Sequence, residues 1–149
     1  MKKVLILLSV FSLSIAGTAY MTYDFDETEN ITLGYNYTFK TYVCEETGKP
    51  SWIIAGGVNY DVVADEVGFA SVYALPMKFL TDQMAVWTSL GFATVTEGDM
   101  DGGLTYGLGL HYYLNETVGV GVGMVNHDWE MGDIEDTLEK TALFFSYRF

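Results

Sequence analysis

The chain has 149 residues, half of them hydrophobic, and carries 20 acidic side chains against 7 basic ones for a formal net charge of −13 at pH 7. That length suits a single domain, and so acidic a surface argues against a nucleic-acid partner, because phosphate contacts need lysine and arginine. The lone Cys44 excludes an internal disulfide and stands too far from the N-terminus to be a lipoprotein acylation site.

The chain begins Met1-Lys2-Lys3, continues in an apolar run from Val4 to Ala16, and then turns to small residues ending in Gly17-Thr18-Ala19. Two lysines, a short hydrophobic stretch and a Gly-x-Ala site make a secretory signal peptide over residues 1–19, with cleavage expected after Ala19. The run is shorter than the roughly 20 residues that span a bilayer as a helix. Residues 20–149 are then the mature domain, 20 acidic side chains against 5 basic ones, with no long apolar run anywhere in it. Its hydrophobicity is dispersed by alternation, as in barrel strands.

Taken in chain order, Met21, Tyr23 and Phe25 alternate with Thr22, Asp24 and Asp26 in a short first strand. Ile31, Leu33, Tyr35, Tyr37 and Phe39 then form one face of a strand running to Val43, against Thr32, Gly34, Asn36, Thr38 and Lys40 on the other. Less regular alternation follows over Trp52 to Val62, Val67 to Phe79 and Met84 to Thr94. From Leu104 to Leu114 the large residues take the even positions, with Thr105, Gly107, Gly109, His111 and Tyr113 between them. Val118, Val120, Val122 and Met124 oppose Gly119, Gly121 and Gly123. The last strand, from about Thr137, places Thr141, Leu143, Phe145, Tyr147 and Phe149 on one face. One face is continuously large and apolar while the other favours Gly, Ser and Thr, which predicts lipid outside and a crowded polar lumen. The expected fold is all-β: an eight-stranded antiparallel up-and-down transmembrane β-barrel, which leaves no open edge.

Such a barrel alternates inner turns, expected at Cys44–Ser51, Leu80–Gln83 and Asn115–Thr117, with outer loops at Asp26–Asn30, Ala64–Glu66, Thr96–Gly103 and Glu130–Asp136. On this parity Trp52, Phe79, Trp87, Tyr112, Tyr147 and Phe149 fall at periplasmic strand ends, as an interfacial girdle. Pro76 has no N–H for a ladder and calls for a bulge or an early end of pairing, and a parity change after Met124 suggests a second bulge near Asn126.

The ending Phe145-x-Tyr147-x-Phe149 resembles the C-terminal β-signal of bacterial outer-membrane barrels. With the signal peptide and strand pattern, the mature chain resembles the small eight-stranded barrels of the OmpA/OmpX type. That resemblance implies a Gram-negative outer-membrane location, outer-membrane lipid and lipopolysaccharide as surroundings, recognition of Phe145, Tyr147 and Phe149 by the barrel-assembly machinery, and a monomer. Members include adhesins, membrane-stabilising proteins, receptors and lipid-modifying enzymes, so the fold does not choose among these roles.

The residues weigh against an enzyme. Lipid A deacylases of this size use His-x-Ser with a nearby Glu, whereas His127 is followed by Asp128 and Trp129, and no serine neighbours His111 or His127. His111 is expected in the lumen near the periplasmic end and His127 in the polar rim. A narrow pore is the third possibility, but Lys40, Asp61, Lys78, His111, Tyr113, Lys140 and Arg148 are expected to fill the lumen, their opposite charges paired. The favoured reading is a non-catalytic platform that stabilises the envelope or contacts other surfaces as an adhesin does. No cofactor is expected. Carboxylates crowd the outer loops, and Asp99, Asp101, Asp133, Glu135 and Asp136 are the candidates for holding calcium or magnesium.

Overall fold

A computed structural model of the chain describes residues 17–25, 29–63, 67–96 and 101–149. Eight antiparallel strands lie among them: β1 (Gly17–Asp24), β2 (Ile31–Val43), β3 (Pro50–Val63), β4 (Phe69–Phe79), β5 (Met84–Val95), β6 (Asp101–Tyr113), β7 (Val118–Met131) and β8 (Ile134–Arg148). Each pairs with its neighbours in sequence, and β1 pairs with β8 from Thr18↔Arg148 to Asp24↔Ala142, which closes the barrel. The first three residues of β1 precede the expected cleavage point after Ala19, and Thr18 and Ala19 are paired on both sides.

Period-2 alternation sorts the side chains as the sequence dictates. On β6, Leu104, Tyr106, Leu108, Leu110 and Tyr112 are exposed outside, while Thr105 and His111 are buried within. Phe92 is 69%, Phe39 67% and Leu108 60% exposed. Surrounding water would make such a surface an aggregation liability, whereas lipid tails match it. Strands of 11 to 15 residues over β2–β8 also suffice for a tilted crossing of the bilayer.

Three local features differ from the sequence reading. The connection expected as a long loop at Glu130–Asp136 is a two-residue turn, because β7 and β8 stay paired out to Met131↔Ile134. Gly132 takes φ 64° there, the first central position of a hairpin turn where glycine avoids the Cβ clash. The bulge expected near Asn126 lies instead on β6 between Gly102 and Thr105, so β7 keeps its parity and Val125 and His127 both line the lumen. Pro76 stays in the β3–β4 ladder opposite Ile54, whereas the β4–β5 ladder passes from Ala74↔Leu90 to Met77↔Trp87 without pairing between them and without losing register. The missing N–H is absorbed by that interruption.

The β2–β3, β4–β5 and β6–β7 turns share one end of the barrel with Gly17, where β1 begins, and with the C-terminal Phe149, here called the termini end, and the other four connections join strands at the opposite end.

Candidate functional site

The lumen is packed in three layers. At the level of the loop end, Lys140 on β8 binds Asp61 on β3 at 2.5 Å and lies 3.7 Å from Asp24 on β1, with all three side chains at most 3% exposed. Asp61 also accepts hydrogen bonds from the Thr32 hydroxyl at 2.6 Å and the Phe69 N–H at 3.0 Å. Phe69 stacks on His127 of β7 at 4.5 Å between centroids, and the Lys140 ammonium stands 5.5 Å from the Phe69 ring. This one cluster therefore ties together six of the eight strands. Such an arrangement is costly to desolvate and holds together only because the carboxylate has cationic and neutral donors at once.

The middle layer is aromatic and amide. The Tyr20 and Tyr73 hydroxyls meet at 2.5 Å, Tyr73 donates to Asn36 Oδ1 at 2.7 Å, and Asn59 donates to Tyr20 at 3.1 Å. Trp87 packs edge-on to Phe144 at 5.1 Å. It fits because Gly109 and Gly123, paired across β6 and β7, leave room: a Cβ at either position would stand 2.5 or 2.4 Å from Trp87 Cζ2. Ile53, Ala55, Leu75, Met77 and Ala85 complete an apolar core with Trp87 on this side.

Nearest the termini, His111 Nε2 and the Ser146 hydroxyl form a hydrogen bond of 3.0 Å, and Tyr113 stacks on Phe79 at 5.7 Å. Gly119 makes space for His111, since a Cβ there would lie 2.1 Å from Nε2. The internal void left among all these side chains is about 100 Å³, touching Thr18 and Arg148 at one end and Asp24, His127 and Lys140 at the other. It has room for a handful of water molecules and not for a solute.

Asp61, His111, Tyr113, Lys140 and Arg148 thus face the lumen, with Arg148 at its mouth. Lys40 and Lys78 do not. A bulge between Thr38 and Lys40 shifts the register so that Lys40 pairs with the outward Ile54, and its ammonium stands 4.6 Å from the centroid of the Tyr42 ring. Lys78 lies on the outer face of β4 beside its partner Trp52 on β3, 5.6 Å from that ring. Of the expected girdle, Trp52, Tyr112, Tyr147 and Phe149 are exposed outside, but Trp87 is buried in the lumen and Phe79 packs there on Tyr113. His127, expected in the rim, is buried inside, as is Asp24. Phe145, Tyr147 and Phe149 lie together on the outer face at the end of the chain.

Asp99 falls outside the described residues. Asp101, Glu130 and Glu135 form a lateral row across β6, β7 and β8, each directly opposite the next. Asp133 sits in the hairpin turn and Asp136 points to the other face of β8 from Glu135. Among the described residues no three acidic, histidine or cysteine side chains are grouped to hold a metal ion.

No protein-family model matches the chain, and no curated protein matches it. Solved structures do. A designed transmembrane β-barrel superposes with a TM-score of 0.56 at 16% identity, over 90% of this chain and 93% of the other. The fold is that of the small eight-stranded outer-membrane barrels. The Yersinia pestis outer membrane protein Ail matches with a TM-score of 0.53 at 15% identity, over 90% of this chain and 99% of Ail. The outer membrane enzyme PagL matches at 0.51 and 15% identity, over 88% of this chain and 97% of PagL. A designed barrel, an attachment invasion locus protein and an enzyme share this one architecture, so function has to be argued from side chains.

Proposed function

We propose that this chain is an outer-membrane β-barrel serving as a non-catalytic platform, whose barrel anchors a rigid acidic rim to the cell surface. The carrying observation is the division of its side chains, an apolar wall outside and a lumen filled by its own residues. A wall of exposed Leu, Val and Phe suits a bilayer, and a filled lumen leaves no path for diffusing solutes. The rim extends beyond the apolar band on the β7–β8 hairpin, where Glu130 faces Glu135. A paired hairpin closed by two residues holds its charges in fixed positions, a geometry suited to contacting another surface.

An acyl-transfer enzyme is the rival reading. On the outer surface of β7 the residues flanking His127 are Asn126 and Asp128, with Glu139 opposite Asn126 and the Thr137 hydroxyl donating to Asp128 at 2.9 Å. The serine that meets a histidine, Ser146 with His111, is buried inside the barrel, where an acyl chain in the membrane does not reach it. His127 itself stacks on Phe69 inside the barrel. Mass spectrometry of lipid A from cells with and without the protein tests the choice. A platform leaves the acyl pattern unchanged while its loss alters surface attachment or entry of hydrophobic dyes; a changed acyl mass that requires the protein contradicts the reading.

A further inference from the structure

We propose that Lys40, Tyr42, Trp52 and Lys78 form a headgroup site for an anionic phospholipid on the outer wall, at the barrel end that carries the termini. Tyr42 and Trp52 lie directly opposite each other on β2 and β3, and Lys78 lies directly opposite Trp52 on β4. Lys40 reaches over the Tyr42 ring and Lys78 over the Trp52 ring, at 4.6 and 5.6 Å from the centroids. Four exposed side chains on three neighbouring strands thus make one patch with two ammonium groups flanking two amphipathic rings.

The distribution of charge gives the patch its meaning. Among the described residues Lys140 is buried against Asp61, Lys49 pairs with Asp82 in the turns, and Arg148 opens into the lumen. The two remaining lysines of the described residues, Lys40 and Lys78, both lie on the lipid-facing wall, at the same end, with no carboxylate partner within 4 Å among those residues. The bulge at Thr38/Lys40 is what turns Lys40 outward. At the opposite end the same wall carries the Asp101, Glu130 and Glu135 row. Lysine stems lie along apolar surface while the ammonium seeks the interface, and tyrosine and tryptophan settle at the same depth. The complementary occupant is a phospholipid phosphate whose headgroup carries no cation of its own, with its acyl chains on the neighbouring apolar wall.

The inference rests on the membrane-spanning reading and is testable apart from it. Purified barrel in an uncharged detergent is titrated with phosphatidylglycerol or phosphatidylcholine, and bound lipid is counted by native mass spectrometry, with unboiled gel mobility reporting the folded state. A lysine near an anionic headgroup contributes about a factor of five, so a preference of roughly 5- to 25-fold for phosphatidylglycerol is expected. Lys40→Gln with Lys78→Gln should reduce it below about twofold, and Lys40→Arg with Lys78→Arg should retain it, since charge and stem survive. Folded wild-type barrel without a preference, or a full preference in the Gln pair, overturns the site while leaving the barrel reading intact. Loss of the preference in millimolar inorganic phosphate at matched ionic strength also overturns it, by showing a free-anion site. A chain that never becomes a compact barrel overturns both.

Discussion

Replacing Lys140 by methionine should be among the most damaging single substitutions in the barrel. The change keeps the length and apolar stem of the side chain and removes its charge, leaving Asp61 and Asp24 buried with side chains 2% exposed and no cation between them. Breaking a buried ion pair from one side typically costs about 3–5 kcal/mol, because the remaining charge is desolvated and uncompensated. The Thr32 hydroxyl and Phe69 N–H stay on Asp61 and soften that loss, which places the expectation near the lower bound, about 3 kcal/mol. Urea titration of refolded protein in lipid vesicles, followed by tryptophan fluorescence and unboiled gel mobility, measures it. Adding Asp61→Asn to Lys140→Met should recover about half of the loss, since it removes one of the two stranded charges, and a double-mutant cycle isolates the coupling. A loss below about 1 kcal/mol for Lys140→Met would refute the reasoning, because the cluster would then be contributing no more than an exposed pair.

Gly123→Ala should destabilise by about 1–3 kcal/mol, since the new methyl meets Trp87, and adding Trp87→Leu should relieve part of the loss in the same unfolding assay. Glu130→Gln should stabilise by about 0.5–1 kcal/mol at low salt and less at high salt, because Glu130 stands between Asp101 and Glu135; destabilisation would show that the row holds a cation. Deleting Phe149 should lower the yield of folded barrel in cells, and normal membrane levels would remove the terminal residue from any role in assembly. Cys44 lies in the turn at the termini end, where the Thr47 side chain holds its thiol below the ordinary range. A membrane-impermeant maleimide should therefore label it only after the outer membrane is permeabilised, and labelling in intact cells would invert the topology. N-terminal sequencing of the processed chain is expected to begin at Tyr20, which would shorten β1; a start at Gly17 would keep every pairing of that strand.

Where one face of a strand meets lipid and the other meets polar groups, the sequence carries the fold openly. The even positions of β6, the odd positions of β8 and the Val-Gly alternation of β7 were readable for that reason. In β4 and β5 both faces are apolar, because Leu75, Met77, Ala85 and Trp87 form a hydrophobic core inside the barrel. Alternation there has no contrast, so parity alone assigns Trp87 and Phe79 to the girdle and Lys78 to the lumen. A single unpaired residue turns Lys40 outward, since one bulge reverses every later side chain on the strand. The polar cluster is half visible. Asp61 and Lys140 are charges at inward positions; Asp24 shares the inward parity of Thr22 but sits next to acidic loop residues in the sequence, and His127 turns inward because β7 keeps its parity where the sequence suggests a bulge. Similarly, the acidic stretch from Glu130 to Asp136 has a loop's composition, and its extended pairing follows from the neighbouring strands and Gly132.

Urea-washed membrane fractionation combined with gel mobility tests the membrane-spanning barrel most directly. Cells producing the protein are separated into soluble, inner-membrane and outer-membrane fractions, and the outer membranes are washed with urea before samples are run with and without boiling. An integral barrel stays in the washed outer membrane, migrates as a compact species unboiled, and shifts on boiling. Recovery in the soluble periplasmic fraction, or release by urea with no change in mobility on boiling, would contradict it.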